Sequence, residues 1–223
     1  MDQVLRISIY YLIGISILLI LNELSYRKWK YKGEYSRKTA HVLATLATAP
    51  FPFIFDNHWY ILGLALLFGI VLWGSRRIKQ LDSIHDVSRP SYGSFLLPAG
   101  IYLSFLIYSF SGNPVIYLIP IIVLALCDPL AAIVGMYFRE NNVTLSLPGR
   151  NGNKTLFGSL AFYVSSTIIC GLILHLSGLN LNQVVLISPL VGFLGTLGEL
   201  FSWRGSDNLS IPLSVQIGLL MLL

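Results

Sequence analysis

Apolar runs of about bilayer length recur along this chain, and no other feature restricts its fold as severely. A helix needs roughly 20 apolar residues to cross the hydrocarbon core. Such runs are read at about 4–24, 40–55, 59–74, 93–111, 114–135, 156–177, 184–201 and 209–223. Composition agrees: 55% of residues are hydrophobic and 11% charged, with a mean hydropathy of +0.71, too apolar for a water-soluble surface. The expected fold is an all-α integral membrane protein, a polytopic bundle of about eight transmembrane helices. Pro50 and Pro52 fall inside the second run, which could be kinked or re-entrant, so seven spans are the alternative. The loops are too short to fold alone, and residues 1–223 read as one transmembrane domain. The first run does not resemble a cleaved signal. Its basic cluster follows it, and Asn22-Glu23-Leu24-Ser25 offers no cleavage site.

Charge gives the expected orientation. Of 15 Lys and Arg residues, all but Arg6 fall on alternate loops, after the first, third, fifth and seventh runs. The loops at Asp56–His58, Ser111–Asn113 and Ser177–Gln183 carry none. The positive-inside rule assigns the basic loops to the cytoplasm, with the protein expected in the plasma (inner) membrane. A net charge of +5 is thereby explained by topology, and no basic stripe with interleaved aromatics suggests nucleic acid. Cys127 and Cys170 lie in apolar stretches and suggest neither a disulfide framework nor a metal site.

The polar residues gather on that same face. Asp128 lies within an apolar run, where an ionised carboxylate is expensive unless paired or hydrated. Pro129 follows it, so Asp128 is expected to cap a fresh helical segment in a broken span. The Gly149–Ser159 stretch, with Gly152, Lys154, Thr155, Gly158 and Ser159, suits a phosphate: backbone N–H groups converge and a lysine adds a point charge. It is not a Walker A loop, because Asn153 stands before the lysine and no strand is expected ahead of it. Glu199 lies in an apolar run, and Asp207-Asn208 opens the last one. Carboxylates near phosphate-binding groups are what a Mg²⁺ site uses. His41 sits at the membrane boundary beside Arg37 and Lys38, as an interfacial residue or a proton acceptor. No nucleophile elbow is present.

With these residues in view, the sequence resembles the polyprenol kinase family, which includes dolichol, phytol and farnesol kinases and CTP-dependent diacylglycerol kinases. The resemblance runs in order through Arg37-Lys38-x-x-His41, Ser91-Tyr92-Gly93-Ser94 and Asp128-Pro129-Leu130-Ala131-Ala132-x-x-Gly135. It continues through Lys154-Thr155-x-x-Gly158-Ser159 to Glu199 and Asp207-Asn208-x-x-x-Pro212. Departures are Cys127, where Gly or Ala is frequent, Phe157, where Glu or Ala is frequent, and Arg139 in place of a second Gly. The resemblance implies phosphoryl transfer from a nucleoside triphosphate, CTP or else ATP, to the hydroxyl of a membrane-soluble alcohol. Asp128 and Asp207, with Asn208, would hold Mg²⁺. Lys154 and the Gly152–Ser159 segment would bind the triphosphate, and Arg37 and Lys38 would neutralise phosphate oxygens. Glu199 or His41 would be the base. The enzymatic alternatives are phosphatidate cytidylyltransferase and CTP-dependent diacylglycerol kinase. A transporter using Asp128 and Glu199 as an ion path would need polar residues at both ends, and the outer half is bare.

Overall fold

A computed structural model describes residues 3–29, 34–77, 81, 83, 91–138, 140, 143–145 and 154–223. It is a helical bundle: α1 (Gln3–Trp29), α2 (Glu34–Ala47), α3 (Phe51–Ile54), α4 (His58–Arg77), α5 (Gly93–Ser111), α6 (Val115–Tyr137), α7 (Leu156–Leu176), α8 (Leu181–Leu200) and α9 (Asp207–Leu222). Among the described residues, six helices are long and apolar enough to cross a membrane: α1, α4, α5, α6, α7 and α8. The last expected span, α9, is a shorter apolar helix. The remaining one, expected at 40–55, is split between α2 and α3.

The position of the break corrects the sequence reading. Helix α6 runs unbroken through Asp128 and Pro129, so Asp128 is not the N-cap of a new segment. Pro129 removes a single N–H from a helix packed on several sides by α2, α5, α7 and α9, and such packing tolerates an interior proline. The chain instead breaks at Thr48–Pro50, where two prolines two residues apart remove two donors within one turn. The carbonyls there find other partners. Tyr117 donates its hydroxyl to the Thr48 carbonyl at 3.1 Å, and Tyr108 donates to that of Pro52 at 3.1 Å.

Other prolines are accommodated in the same way. Pro120 has no N–H for the Ile116 carbonyl, and the buried Gln216 of α9 donates Nε2 to it at 3.0 Å. Pro212 leaves the Asn208 carbonyl without its helical donor. That carbonyl presses on α5 at Gly100, where a Cβ would collide with it. These cross-helix contacts tie α5, α6 and α9 together. The main core lies around α6, built from Ile119, Val123 and Leu124 with Phe162, Val191, Ile211 and Val215. A second core of Phe51, Phe55, Ile61, Phe105 and Tyr117 joins α3 to α4, α5 and α6. Helix α1 is peripheral, exposing large apolar side chains such as Ile13, Ile17 and Leu21, as a lipid-facing helix does.

Candidate active site

Two ion pairs anchor the polar cluster. On α2, Lys38 pairs with Asp128 of α6. Lys154, two residues before α7, pairs with Glu199 of α8 at 2.5 Å. Asp128 and Glu199 are 6% and 4% exposed, depths at which an unpaired carboxylate would not persist. The pairs form one cluster: the charge of Lys154 acts on Asp128, and Asp207 acts on both Lys38 and His41. The sequence-derived residues from α2, α6, α7, α8 and α9 therefore meet.

Each is positioned by its own element. Arg37 donates to the Ser91 hydroxyl at 2.6 Å, and the backbone N–H of Gly93 donates to the same oxygen at 3.2 Å. This joins two motifs that lie 54 residues apart. Gly93 is needed where it stands, since a Cβ would lie 2.7 Å from the Arg37 guanidinium. Asn208 donates Nδ2 to the Gly93 carbonyl at 2.8 Å, so its amide nitrogen fastens α9 to α5. Asp207 lines the cavity at the start of α9, with Oδ1 accepting from the Asn208 N–H at 2.9 Å.

Around Lys154 the local order differs from the expected loop. Thr144–Leu145 and Lys154–Thr155 form a two-stranded antiparallel hairpin, β1 and β2, with Leu145 opposite Lys154. A strand thus does precede the lysine. Its sequence signal was Val143-Thr144, a β-branched pair too short to read as a strand. Gly152 lies outside the described residues. Thr155 is the N-cap of α7, its hydroxyl accepting from the Gly158 N–H at 3.3 Å. Two motif glycines allow α7 to seat on α6. A Cβ on Gly158 would lie 2.9 Å from the Ala131 carbonyl, and one on Gly135 would lie 2.6 Å from the Thr155 hydroxyl. That close seat places Lys154 beside Asp128. Ser159, one turn into α7, donates to Glu199 Oε2 at 3.1 Å.

The two candidate bases differ in what they have free. Glu199 has one oxygen on Lys154 and the other on Ser159. His41 Nε2 lies 3.2 Å from the Leu124 carbonyl. A carbonyl only accepts, so Nε2 carries the proton and the lone pair resides on Nδ1.

A cavity opens from this cluster into the bundle. Arg37, Lys38, His41, Asp128, Asp207 and Asn208 line its polar end. Its other walls are mostly apolar residues of α1, α2, α4 and α5, including Leu19, Ala44, Leu64, Phe68 and Leu97, with Thr48, Tyr11 and Phe51. No residue pattern marks this slot in advance, because its walls come from four helices of uniform apolar composition.

The donor set bears on a metal. The described residues contain no group of three or more His, Cys, Asp or Glu suited to an ion. Mg²⁺ is usually held by one or two carboxylates, with phosphate oxygens and water completing the octahedron. Asp128 and Asp207, facing one cavity with the cationic Lys38 acting on both, fit that requirement. Asn208 contributes through its oxygen at most, its nitrogen being committed to Gly93.

The sequence profile of the cytidylyltransferase family matches residues 3–203. No curated protein and no solved structure matches the chain. The match covers most of the sequence and takes in the cluster apart from Asp207 and Asn208. The chain belongs to the cytidylyltransferase family, whose members are transferases acting with CTP in lipid chemistry and include CTP-dependent lipid kinases of the polyprenol type.

Proposed function

We propose that this member of the cytidylyltransferase family transfers the γ-phosphoryl group of CTP to the hydroxyl of a membrane-soluble isoprenoid or similar lipid alcohol, at the cytoplasmic membrane face. One observation carries the reading: a single cavity is lined by acids and cations together with a predominantly apolar set of residues from α1, α2, α4 and α5. An alcohol with a hydrocarbon tail matches both ends of such a space, its hydroxyl among the charges and its tail among the helices.

Phosphoryl transfer asks for positioning and charge neutralisation more than for covalent chemistry. Lys154, aimed by Glu199 and Ser159, would hold the donor triphosphate, with the Thr155 cap and the first turn of α7 offering backbone N–H groups. Arg37, held by Ser91, and Lys38 would neutralise phosphate oxygens as charge moves onto them. Asp128 and Asp207 are the residues that would hold Mg²⁺, which supplies charge neutralisation on the donor phosphates. The lipid hydroxyl oxygen forms the new bond to the γ-phosphorus, the bond from that phosphorus to the β-bridging oxygen breaks, and CDP leaves. His41 Nδ1 takes the hydroxyl proton.

The test is purified protein in lipid nanodiscs with CTP labelled at the α- or the γ-phosphate, assayed against lipid alcohols and phosphatidic acid. Label from the γ-position in an alcohol is expected. Label from the α-position in phosphatidic acid, with none from the γ-position in any alcohol, would make the protein a phosphatidate cytidylyltransferase.

A further inference from the structure

The apolar end of the cavity has a definite depth and a definite floor. Its polar end is set by Lys38, His41 and Asp128. At its far end lie Phe51 and Tyr11, whose rings meet edge to face at 5.2 Å between centroids. Phe55 backs both rings, at 5.2 Å from Phe51 and 6.0 Å from Tyr11, and is only 1% exposed. The slot therefore ends on packed aromatic side chains and does not run through to the other side of the bundle. Two continuous helical walls give its depth. On α1 the lining runs from Tyr11 to Leu19, about 12 Å at the helical rise. On α4 the lining runs from Ile61 to Leu72, about 16 Å by the same rise. The hydrocarbon core is about 30 Å thick, so the slot is about one leaflet deep. Its side walls include Ala40, Ala44 and Ala65, where small side chains leave width for a methyl-branched chain.

We infer that this slot takes one hydrocarbon tail and measures it, with the Phe51–Tyr11 floor as the stop. The occupant is a single-chain alcohol whose tail is about one leaflet long. A much longer polyprenol would have to bend out through the wall, and a lipid with two acyl chains would have to leave one outside. Phe51 and Tyr11 are specificity determinants, remote from the reacting atoms. The inference rests on the lipid-kinase reading above, and the experiment separates the two.

Wild type, Phe51→Leu and Ala44→Leu would be assayed with γ-labelled CTP against farnesol, geranylgeraniol, phytol, a long-chain polyprenol and diacylglycerol. Thermal melts of the same proteins with each lipid and no nucleotide would be recorded alongside. Wild type is expected to prefer the alcohols of leaflet length over the long polyprenol by about tenfold or more in kcat/KM. Phe51→Leu, which lowers the floor without emptying it, is expected to narrow that preference. Ala44→Leu, which fills the slot and creates no cavity, is expected to move the optimum to shorter tails. Equal use of all tail lengths by wild type, or variants that scale every lipid alike, would overturn the measuring slot and leave the kinase reading standing. No γ-label in any alcohol would overturn the kinase reading. In that case the melts decide the slot: stabilisation that grows with tail length and stops at leaflet length supports it, and length-independent stabilisation overturns it.

Discussion

Asp128→Asn is the substitution whose consequences the structure lets one work out most fully. Asn nearly preserves size, and because α6 is continuous no helix cap is at stake. What is lost is the negative charge facing Lys38. Removing one member of a buried ion pair costs about 3–5 kcal/mol when the survivor is wholly buried. The Lys38 side chain retains 20% exposure and still interacts with Asp207. That reduces the expected loss to about 1–2 kcal/mol, or roughly 3–6 °C in Tm for a chain of this size. Activity should fall much further. A carboxylate that holds the cation neutralising the donor phosphates is worth several kcal/mol, so turnover should drop at least about a hundredfold. The assay is γ-label transfer from CTP to the preferred alcohol, paired with a thermal melt of the same preparation. A folded variant keeping more than about a tenth of wild-type turnover, within about 1.4 kcal/mol of it, would refute the placement of Asp128 at the reacting phosphates.

Three further outcomes are expected. Glu199→Gln can still accept from Ser159 but no longer neutralises Lys154, so kcat/KM for CTP should fall about tenfold to a hundredfold, whereas His41→Ala should reduce kcat about a hundredfold or more; a reversed ranking in steady-state assays would exchange their roles. Gly158→Ala sets a Cβ against the Ala131 carbonyl, and melts should show a loss of about 1–3 kcal/mol as α7 is pushed off α6. Asn113→Cys should react with an impermeant maleimide from outside, and Arg204→Cys only once the cytoplasmic face is opened; labelling of both from one side would overturn the single cytoplasmic face.

How much of this was legible beforehand follows from what each feature costs. A carboxylate in an apolar run is expensive, so Asp128 and Glu199 stand out in the sequence, and both prove to be paired and buried. The expected break at Asp128–Pro129 went wrong because local preference was weighed without packing. One missing N–H inside a well-packed helix is tolerated, whereas Pro50 and Pro52 together break the chain. The β1–β2 hairpin escaped notice because two-residue strands leave no periodicity. Glu199 and His41 were equivalent as candidate bases until their partners were known. Only the structure shows that both oxygens of Glu199 are occupied while one nitrogen of His41 has no hydrogen-bond partner among the described residues.

The motif glycines and the prolines lead to one further step. In water a freed carbonyl or a short gap between helices can be filled by solvent; in hydrocarbon it must be filled by another part of the chain. Gln216 on the Ile116 carbonyl is such a repair and bridges α9 to α6, and the missing side chain of Gly100 lets the Asn208 carbonyl close the gap between α9 and α5. Gly135 and Gly158 do the same for α6 and α7. The elements that carry Asp128, Lys154 and Asp207 are thus tied to one another by a cross-helix hydrogen bond and by close glycine contacts. Between α1 and α4 the described residues form the small apolar cluster of Ile15, Leu19 and Leu72. On the proposed function, the soluble donor is held among the locked helices and the lipid acceptor enters at the apolar α1–α4 seam. Cross-linking α1 to α4 across that seam should therefore block turnover of lipid and leave CTP binding intact, and loss of CTP binding as well would show that the two halves are not mechanically separate.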